Sequence, residues 1–396
     1  MDHSLIPTSY QGREQALIKH HLLREYLEKL MLIMGMGSRQ KEVVDLCYVD
    51  CFAGPWGDDT EAMESTSIAI SLQTLDACRK RLEQLNVPVR VRALYIESSR
   101  RAFARLSTYL ASSTPSGIEA ACMKGDFVAL RADMLRWVGP GAFAFFFIDP
   151  KGWSQVSVSI LRPLLVRPRS EFLINLMYDF VNRTMSMPAW QNEMADFIGE
   201  RLDLTGMSPV ERERRIVRTY RQNLKAHIPF AKREYPPRAA HVRVMDPEKD
   251  RTKYHLVYVT AHAKGVVEFK RISEQVDQVQ RYVRAEKREA KIRSLSGTGD
   301  LFGLEGYLDA TAERIDQGDI DGFWRTFLNA GPRTIDMSAF ADILEDTDWF
   351  EADLQASLIQ LIREGHVTNL TADVKRRRKR PLHFENSGGE SLQWLK

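Results

Sequence analysis

Three acidic residues each close an apolar run. Val43, Val44, Leu46, Tyr48 and Val49 lead into Asp50, after which the chain breaks at Cys51-Phe52-Ala53-Gly54-Pro55-Trp56-Gly57. Ala93-Leu94-Tyr95-Ile96 leads into Glu97 and Ser98, and Ala144-Phe145-Phe146-Phe147-Ile148 leads into Asp149-Pro150-Lys151-Gly152-Trp153. A shorter run, Ala120 to Lys124, ends at Gly125-Asp126-Phe127. Strands that end in acidic, glycine-containing loops mark the nucleotide-binding edge of an open α/β sheet. Gly54 lets the backbone approach a ligand closely because it has no Cβ. An acid after the second strand can accept hydrogen bonds from two ribose hydroxyls, which suits Glu97. The first loop lacks the GxGxxG glycines of a nicotinamide site.

Four strand ends in this order match the way a class I methyltransferase sheet holds S-adenosylmethionine. The expected cofactor cradle is Asp50, Phe52, Ala53, Gly54 and Pro55 after strand one and Glu97 with Ser98 after strand two. Asp126 with Phe127 completes it after strand three, facing the adenine amine. The loop after strand four would face the methyl group. Amine methylases of nucleobases place an Asp/Asn-Pro-Pro-aromatic loop there, whose acceptors draw the exocyclic amine toward the sulfonium. Asp149 and Pro150 keep the acceptor and the turn, Lys151-Gly152 replaces the second proline and the aromatic, and Trp153 supplies an aromatic one position late. Asp149, Pro150, Lys151 and Trp153 are therefore the candidate catalytic group. Trp153 either stacks on a base, worth about 1–3 kcal/mol, or packs against the helix that follows. Lys151 either neutralises a phosphate or is a solvated loop lysine. Asn175 and Asp179 either line the cleft or cap the chain exit. His255 and His262 show no carboxylate partner or metal spacing, and no metal is required.

The elements that would position these residues read as an alternation. Residues 14 to 35 carry Ala16, Ile18, Leu22, Leu23, Tyr26, Leu27, Leu30 and Met31 at helical spacing. Strands are expected at about 43–50, 89–97, 120–124, 143–148 and 171–177, with helices at about 67–85, 100–110, 128–138 and 156–165. That alternation predicts a parallel, doubly wound sheet. Residues 188 to 234, polar and arginine-rich, read as a helical insertion over the sheet's edge. His255 to Thr260 reads as a late strand, with 242–245 as its partner.

The length of 396 residues suffices for two or three domains. The division expected is an N-terminal helical segment (1–40), a methyltransferase-like domain (41–275), a helix and linker (276–299, with the break near Ser294-Leu295-Ser296-Gly297-Thr298-Gly299) and a C-terminal domain (300–396). In the last, helices near 305–330, 337–345 and 351–364 precede a strand at 366–370 and a return strand at 381–385. Helices followed by a hairpin with a basic tip form a winged-helix pattern. The fold class is thus α/β: a Rossmann-like class I methyltransferase sheet with a helical insertion, plus a C-terminal helical, winged-helix-like domain.

No apolar run approaches the roughly 18 residues needed to span a bilayer, and Met1-Asp2-His3-Ser4 does not open a signal peptide. Cys47, Cys51, Cys78 and Cys122 form no CxxC pair, which points to reduced thiols in a cytoplasm. Net charge is only +3, so a general polycation is excluded, yet Lys375-Arg376-Arg377-Arg378-Lys379-Arg380 is an unbroken basic run. Local basic patches bind phosphate backbones even near neutrality. As a wing tip this run would contact nucleic acid; otherwise it is a solvated loop or a dock for an acidic partner.

The same residues resemble the three-Cys-motif partner proteins (TcmP), bacterial and phage proteins with a methyltransferase-like fold. Lys19-His20-His21-Leu22-Leu23-Arg24-Glu25-Tyr26-Leu27 resembles that family's opening helix. Tyr48-Val49-Asp50-Cys51-Phe52-Ala53-Gly54-Pro55 resembles its signature strand and loop. Tyr95-Ile96-Glu97, Phe147 to Trp153, and Tyr254-His255-Leu256-Val257-Tyr258 with Thr260 and Gly265 follow the later motifs. The likeness covers about residues 14 to 275. Trp56 stands where the family has glycine, and Glu64-Ser65-Thr66 where it has Gly-Ser-Pro. The resemblance implies the fold and a cysteine-motif partner protein, the named cysteines belonging to that partner. Two functions follow as expectations: an S-adenosylmethionine-dependent methyltransferase acting on a nucleic-acid base amine or a nucleic-acid-associated substrate, or a non-catalytic scaffold that pairs with a cysteine-motif protein in a phage, mobile-element or defence system.

Overall fold

The computed structural model describes residues 6–37, 43–54, 65–229, 236–296, 307–308, 316–372 and 380–395. The chain divides into two compact units, Met1–Ala261 and His262–Lys396. The sequence places its break farther on, in the linker near 294–299. The difference has a local cause: the long helix that precedes that linker packs onto the C-terminal helices.

In the first unit the elements alternate as the apolar runs dictate: α1 (Glu14–Gly37), β1 (Val44–Asp50), α2 (Ser67–Gln84), β2 (Val89–Glu97), α3 (Arg100–Ser113), β3 (Ile118–Lys124), α4 (Phe127–Val138), β4 (Phe143–Ile148), α5 (Val158–Leu165), β5 (Ser170–Leu176), α6 (Tyr178–Thr184), α7 (Gln191–Ile198), α8 (Pro209–Lys225), β6 (Arg238–Met245) and β7 (Thr252–Thr260). The seven strands lie in the order β3-β2-β1-β4-β5-β7-β6. The first five are parallel, and β7 runs antiparallel to both β5 and β6. This is the Rossmann-like sheet of class I methyltransferases. β4 and β5 are buried along their whole length, which is why β4 reads as an unbroken apolar run instead of an alternating one.

Caps set where the helices begin. Thr66, Ser99, Asp126 and Ser157 each accept an amide hydrogen bond from the first turn of α2, α3, α4 and α5. Ser208 and Glu211 form a reciprocal capping box on α8, with Pro209 in its first turn. The helical segment after β5 exists, and its α8 packs on β7 and the edge strand β6. Ile216, Val217, Tyr220 and Leu224 of α8 are buried in the same core as Phe172, Ile174 and Val257. The Tyr220 hydroxyl donates to the Val156 carbonyl at 2.5 Å. Arg214, Arg215 and Arg218 are exposed on the outer face of α8, while Arg221 is buried and donates to the Ala239 carbonyl of β6 at 2.6 Å.

The second unit contains α9 (Ala263–Ser296), α10 (Gln317–Leu328), β8 (Arg333–Ile335), α11 (Met337–Asp346), α12 (Glu351–Arg363), β9 (Val367–Asn369) and β10 (Glu390–Trp394). The antiparallel sheet has the order β8-β10-β9, so helix, strand, two helices and a pair of antiparallel strands follow each other. Two sequence readings are corrected here. A strand at 333–335 was not expected, and the return strand is Glu390–Trp394, not 381–385. Leu382 and Phe384 are buried, and the Leu382 amide and carbonyl both bond the Gln355 side chain, so that segment packs without joining the sheet. The chain turns into β10 at Gly388 and Gly389, both at positive φ. A Cβ at Gly389 would collide with the Ile335 carbonyl and the Asp336 backbone.

Candidate active site

The parallel register brings the carboxyl ends of β1, β2, β4 and β5 to one edge, with Asp50 opposite Tyr95 and Phe147 and Ile148 opposite Ile174. Backbone bonds lock the β1 loop to its neighbours: the Cys51 amide donates to Phe147 and the Ala53 amide to Ile96. A cleft of about 470 Å3 opens beyond this edge, a usual size for a small-molecule site. Phe52, Ala53 and Gly54 line it from β1, Asp149, Pro150 and Lys151 from β4, Asn175 and Met177 from β5. Arg13, Lys19 and His20 of the N-terminal segment and Lys253 and Tyr254 of β7 complete it. Tyr254 donates to the Gln15 carbonyl at 2.8 Å, which ties β7 to α1.

Glu97 is buried at 5% exposure. Its Oε1 accepts from the Ser99 amide at 2.5 Å, while Oε2 occupies the place where a Cβ at position 54 would sit. Among the described residues Oε2 has no hydrogen-bond donor. A glycine at 54 is thus required by the acid beside it. Glu97 does not itself line the cleft, but its Oε2 is an acceptor of the kind that ribose hydroxyls would satisfy, beside the cleft residue Gly54, which suits S-adenosylmethionine.

Other cradle residues take different parts. Asp50 is fully buried and does not line the cleft. Its oxygens accept from the Phe52 amide at 3.1 Å and the Ser67 hydroxyl at 2.9 Å, so it pins the β1 loop to the start of α2. Burial pushes its carboxyl up to about 7 and Asp149 adds to this, against the hydrogen bonds from Ser67 and Phe52. Asp126 caps α4 through Val128 and Ala129, and its other oxygen accepts from Gln155 at 3.0 Å. Phe127 is buried, with its ring 5.0 Å from that of Phe52. Ser98 is exposed beside Glu97. Pro55 lies outside the described residues, as do Trp56 and Gly57.

At the β4 end, Asp149 forms an ion pair with Lys19, and its Oδ1 accepts from the Asn175 Nδ2 at 2.7 Å. Asn175 is buried at 3% exposure, and its Oδ1 has no hydrogen-bond partner. His20 is held well below the usual histidine range by burial and then by Lys19, Arg13 and Arg24, and its Nδ1 meets the Tyr10 hydroxyl at 3.1 Å. Trp153 does not line the cleft: its ring meets Phe197 edge-on at 5.4 Å and Trp190 at 6.0 Å. Trp153 thus packs against α7 and Trp190, not against the helix that directly follows it, as the packing alternative expected. His255 does have a carboxylate partner, contrary to the sequence reading: Glu213 of α8 lies 3.0 Å from its Nε2.

Sequence reasoning missed Lys19 as a site residue, along with Gln155 and Lys253. Lys19 carried a weak signal, a cation beside the buried face of α1; nothing local marks the other two. Lys375, Arg376, Arg377, Arg378 and Lys379 lie outside the described residues. Arg380 is described and pairs with Glu351 at 3.3 Å. Among the described residues no helix is long and apolar enough to cross a membrane.

No protein-family profile matches the chain, and no curated protein matches it. Among solved structures, a DUF574 family protein from Streptomyces avermitilis is 13% identical, with a TM-score of 0.32, covering 63% of this chain and 87% of its own. An O-methyltransferase from Bacillus cereus, solved in complex with S-adenosylhomocysteine, is 14% identical with a TM-score of 0.32, covering 65% and 93%. A dimethyladenosine transferase from Plasmodium falciparum is 11% identical with a TM-score of 0.27, covering 84% and 96%.

Proposed function

We propose that this chain is an S-adenosylmethionine-dependent methyltransferase acting on a nucleic-acid base amine. One observation carries the reading: the buried Glu97 carboxylate packed on Gly54 at the end of β2, its Oε2 without a hydrogen-bond donor among the described residues. S-adenosylmethionine would supply a methyl group on a sulfonium. Glu97 would accept the ribose hydroxyls, and the Phe52–Gly54 backbone would run alongside. The Asn175 Oδ1, which has no hydrogen-bond partner among the described residues, is an acceptor suited to an amine, and Asp149 beside it is a second acceptor already bonded by Lys19 and Asn175. Drawing hydrogen bonds from that amine raises the electron density on the nitrogen that attacks the methyl group. Asp149 would stand as the base for the proton that the methylated amine gives up.

A specific observation favours a second reading, the non-catalytic scaffold paired with a cysteine-motif protein. Asp149 and Asp126, the acids assigned to the methyl acceptor and the adenine, already have protein partners in Lys19, Asn175 and Gln155. A third reading, duplex recognition by the C-terminal unit alone, has less support. The exposed face of α12 presents Ala352, Ala356, Ile359, Gln360 and Arg363, few donors for reading base edges in a major groove. Calorimetric titration of S-adenosylmethionine and S-adenosylhomocysteine into the full chain separates the first two. Micromolar binding, about −8 kcal/mol, lost in Glu97→Ala supports the enzyme. No binding at high concentration supports the scaffold.

A further inference from the structure

Exposed aromatics stand on the two helical segments that follow the cleft wall at β5. Met177, which lines the cleft, precedes α6, where Phe180 is 43% exposed; Trp190, just before α7, is also 43% exposed. Large aromatics standing out of a folded surface side by side with cations need an explanation. The Arg183 guanidinium lies 4.9 Å over the Phe180 ring and is itself more than half exposed, so it offers a second planar surface. Trp190 meets Trp153 in a T-shaped contact at 85°, with 43% of its surface exposed.

Two ties fix this surface against the cleft. Asp179 of α6 pairs with Arg251 at 3.0 Å, and Arg251 stands two positions before the cleft residue Lys253. On the other side, the Trp190–Trp153 contact joins it to the β4 loop, whose Lys151 also lines the cleft. Lys151 and Lys253 have no ion-pair partner among the described residues.

We infer that the methyl acceptor is a single-stranded polynucleotide whose target base enters the cleft while flanking bases stack on Phe180 and Trp190 and its phosphates meet Lys151 and Lys253. Aromatic platforms beside a cationic track hold unpaired strands with little sequence preference, because every base has a π-face. A base inside a duplex cannot reach a cleft at a sheet edge without extrusion. The inference rests on the methyltransferase reading of the cleft.

The test is fluorescence anisotropy of the full chain with a labelled 20-nucleotide single strand, DNA and RNA in parallel, against the same sequence as a duplex. We expect the single strand to bind about tenfold more tightly. Phe180→Ala/Trp190→Ala should weaken it about ten- to a hundredfold for each stacked base lost, with the melting temperature and the calorimetric S-adenosylmethionine affinity unchanged. Lys151→Ala/Lys253→Ala should flatten the salt dependence by about 1.4 in log–log slope, roughly 0.7 per phosphate contact on a single strand. Equal binding of duplex and single strand, or full binding by the aromatic double variant, would overturn the inference even if the cofactor binds. Loss only when the basic run at 375–380 is neutralised would likewise overturn it, by placing nucleic-acid binding on the wing. Failure of the cofactor titration with the strand binding intact would strike the methyltransferase reading alone.

Discussion

Lys19 of α1 and Asp149 at the end of β4, 130 positions apart in the chain, meet as an ion pair on the wall of the cleft. Both side chains are mostly buried, at 18% and 16% exposure, so the pair is screened less than a surface bridge and each charge depends on the other. Lys19→Met and Asp149→Asn should each destabilise the fold by about 1–3 kcal/mol, and the double variant should lose clearly less than their sum. Urea unfolding of all four proteins measures this. Strictly additive losses would mean that the two charges are not coupled.

Glu97 and Gly54 make a separate prediction because one is the ligand group and the other its clearance. Glu97→Gln keeps the shape but removes the charge that strengthens hydrogen bonds to hydroxyls. It should weaken S-adenosylmethionine binding about tenfold or more, from the roughly 1.5–3 kcal/mol of a charged hydrogen bond, with the melting temperature almost unaltered. Gly54→Ala places a methyl group on Oε2, so it should lower both affinity and stability. A Gly54→Ala protein that binds as well as the parent would show that the β1 loop can yield and that Glu97 is not held for a ligand.

Asp50 predicts a pH dependence in stability, not activity. Its folded pKa of about 7 lies above the unfolded carboxylate value of 3.8. The folded state therefore binds the proton more tightly. The stabilisation from this group is fully present below about pH 4 and is lost as pH rises through 7. Every tenfold difference in proton affinity between the two states is worth about 1.4 kcal/mol. Relative to the parent, Asp50→Asn should gain stability steadily from pH 4 to 7 and level off above. Parallel stability curves for the two proteins across that range would show that Asp50 is charged throughout, stabilised by Ser67 and the Phe52 amide.

The sheet was legible because its central strands carry buried apolar runs; β2 and β4 fall at the residues those runs mark. The strand ends were legible for the same reason, since Asp50, Glu97 and Asp149 are the first charges after those runs. What each acid touches was not. Asp126 and Asp149 look alike in sequence, each following a strand, yet one caps α4 and the other meets a lysine from α1. Such pairing depends on tertiary approach between distant segments, and no spacing rule encodes it. Trp153 shows the same limit: whether an aromatic after β4 faces a ligand or a helix depends on α7, nearly 40 positions later. β8 and β10 were missed because a three-residue strand carries too little pattern, and because the buried Leu382 and Phe384 imitate a strand while packing as a loop.

The C-terminal unit carries its own electrostatic prediction. Arg271 of α9 reaches Glu351 at 2.6 Å and Glu268 at 3.3 Å, and it also bonds Glu385. Glu351 is buried at 7% exposure, so it needs a cation to offset its lost hydration. Burial works against the guanidinium charge, but Glu351 and Glu385 together hold Arg271 firmly protonated. Burial also pushes Glu385 upward, and the hydrogen bond and charge of Arg271 outweigh it, leaving its carboxyl below the usual range. The resulting stability is present above the unfolded glutamate value and is lost as pH falls through the lower folded one. Arg271→Met should cost about 2 kcal/mol or more, between the value of an exposed pair and a buried one, and should flatten the acid limb of unfolding. Arg271→Lys should recover little, since one ammonium cannot span three carboxylates as the guanidinium fork does. Hydrogen-exchange mass spectrometry assigns the loss to a unit: exchange should quicken across 316–395 and stay unchanged across 65–229. Uniform quickening over both segments would mean that the two units unfold as one.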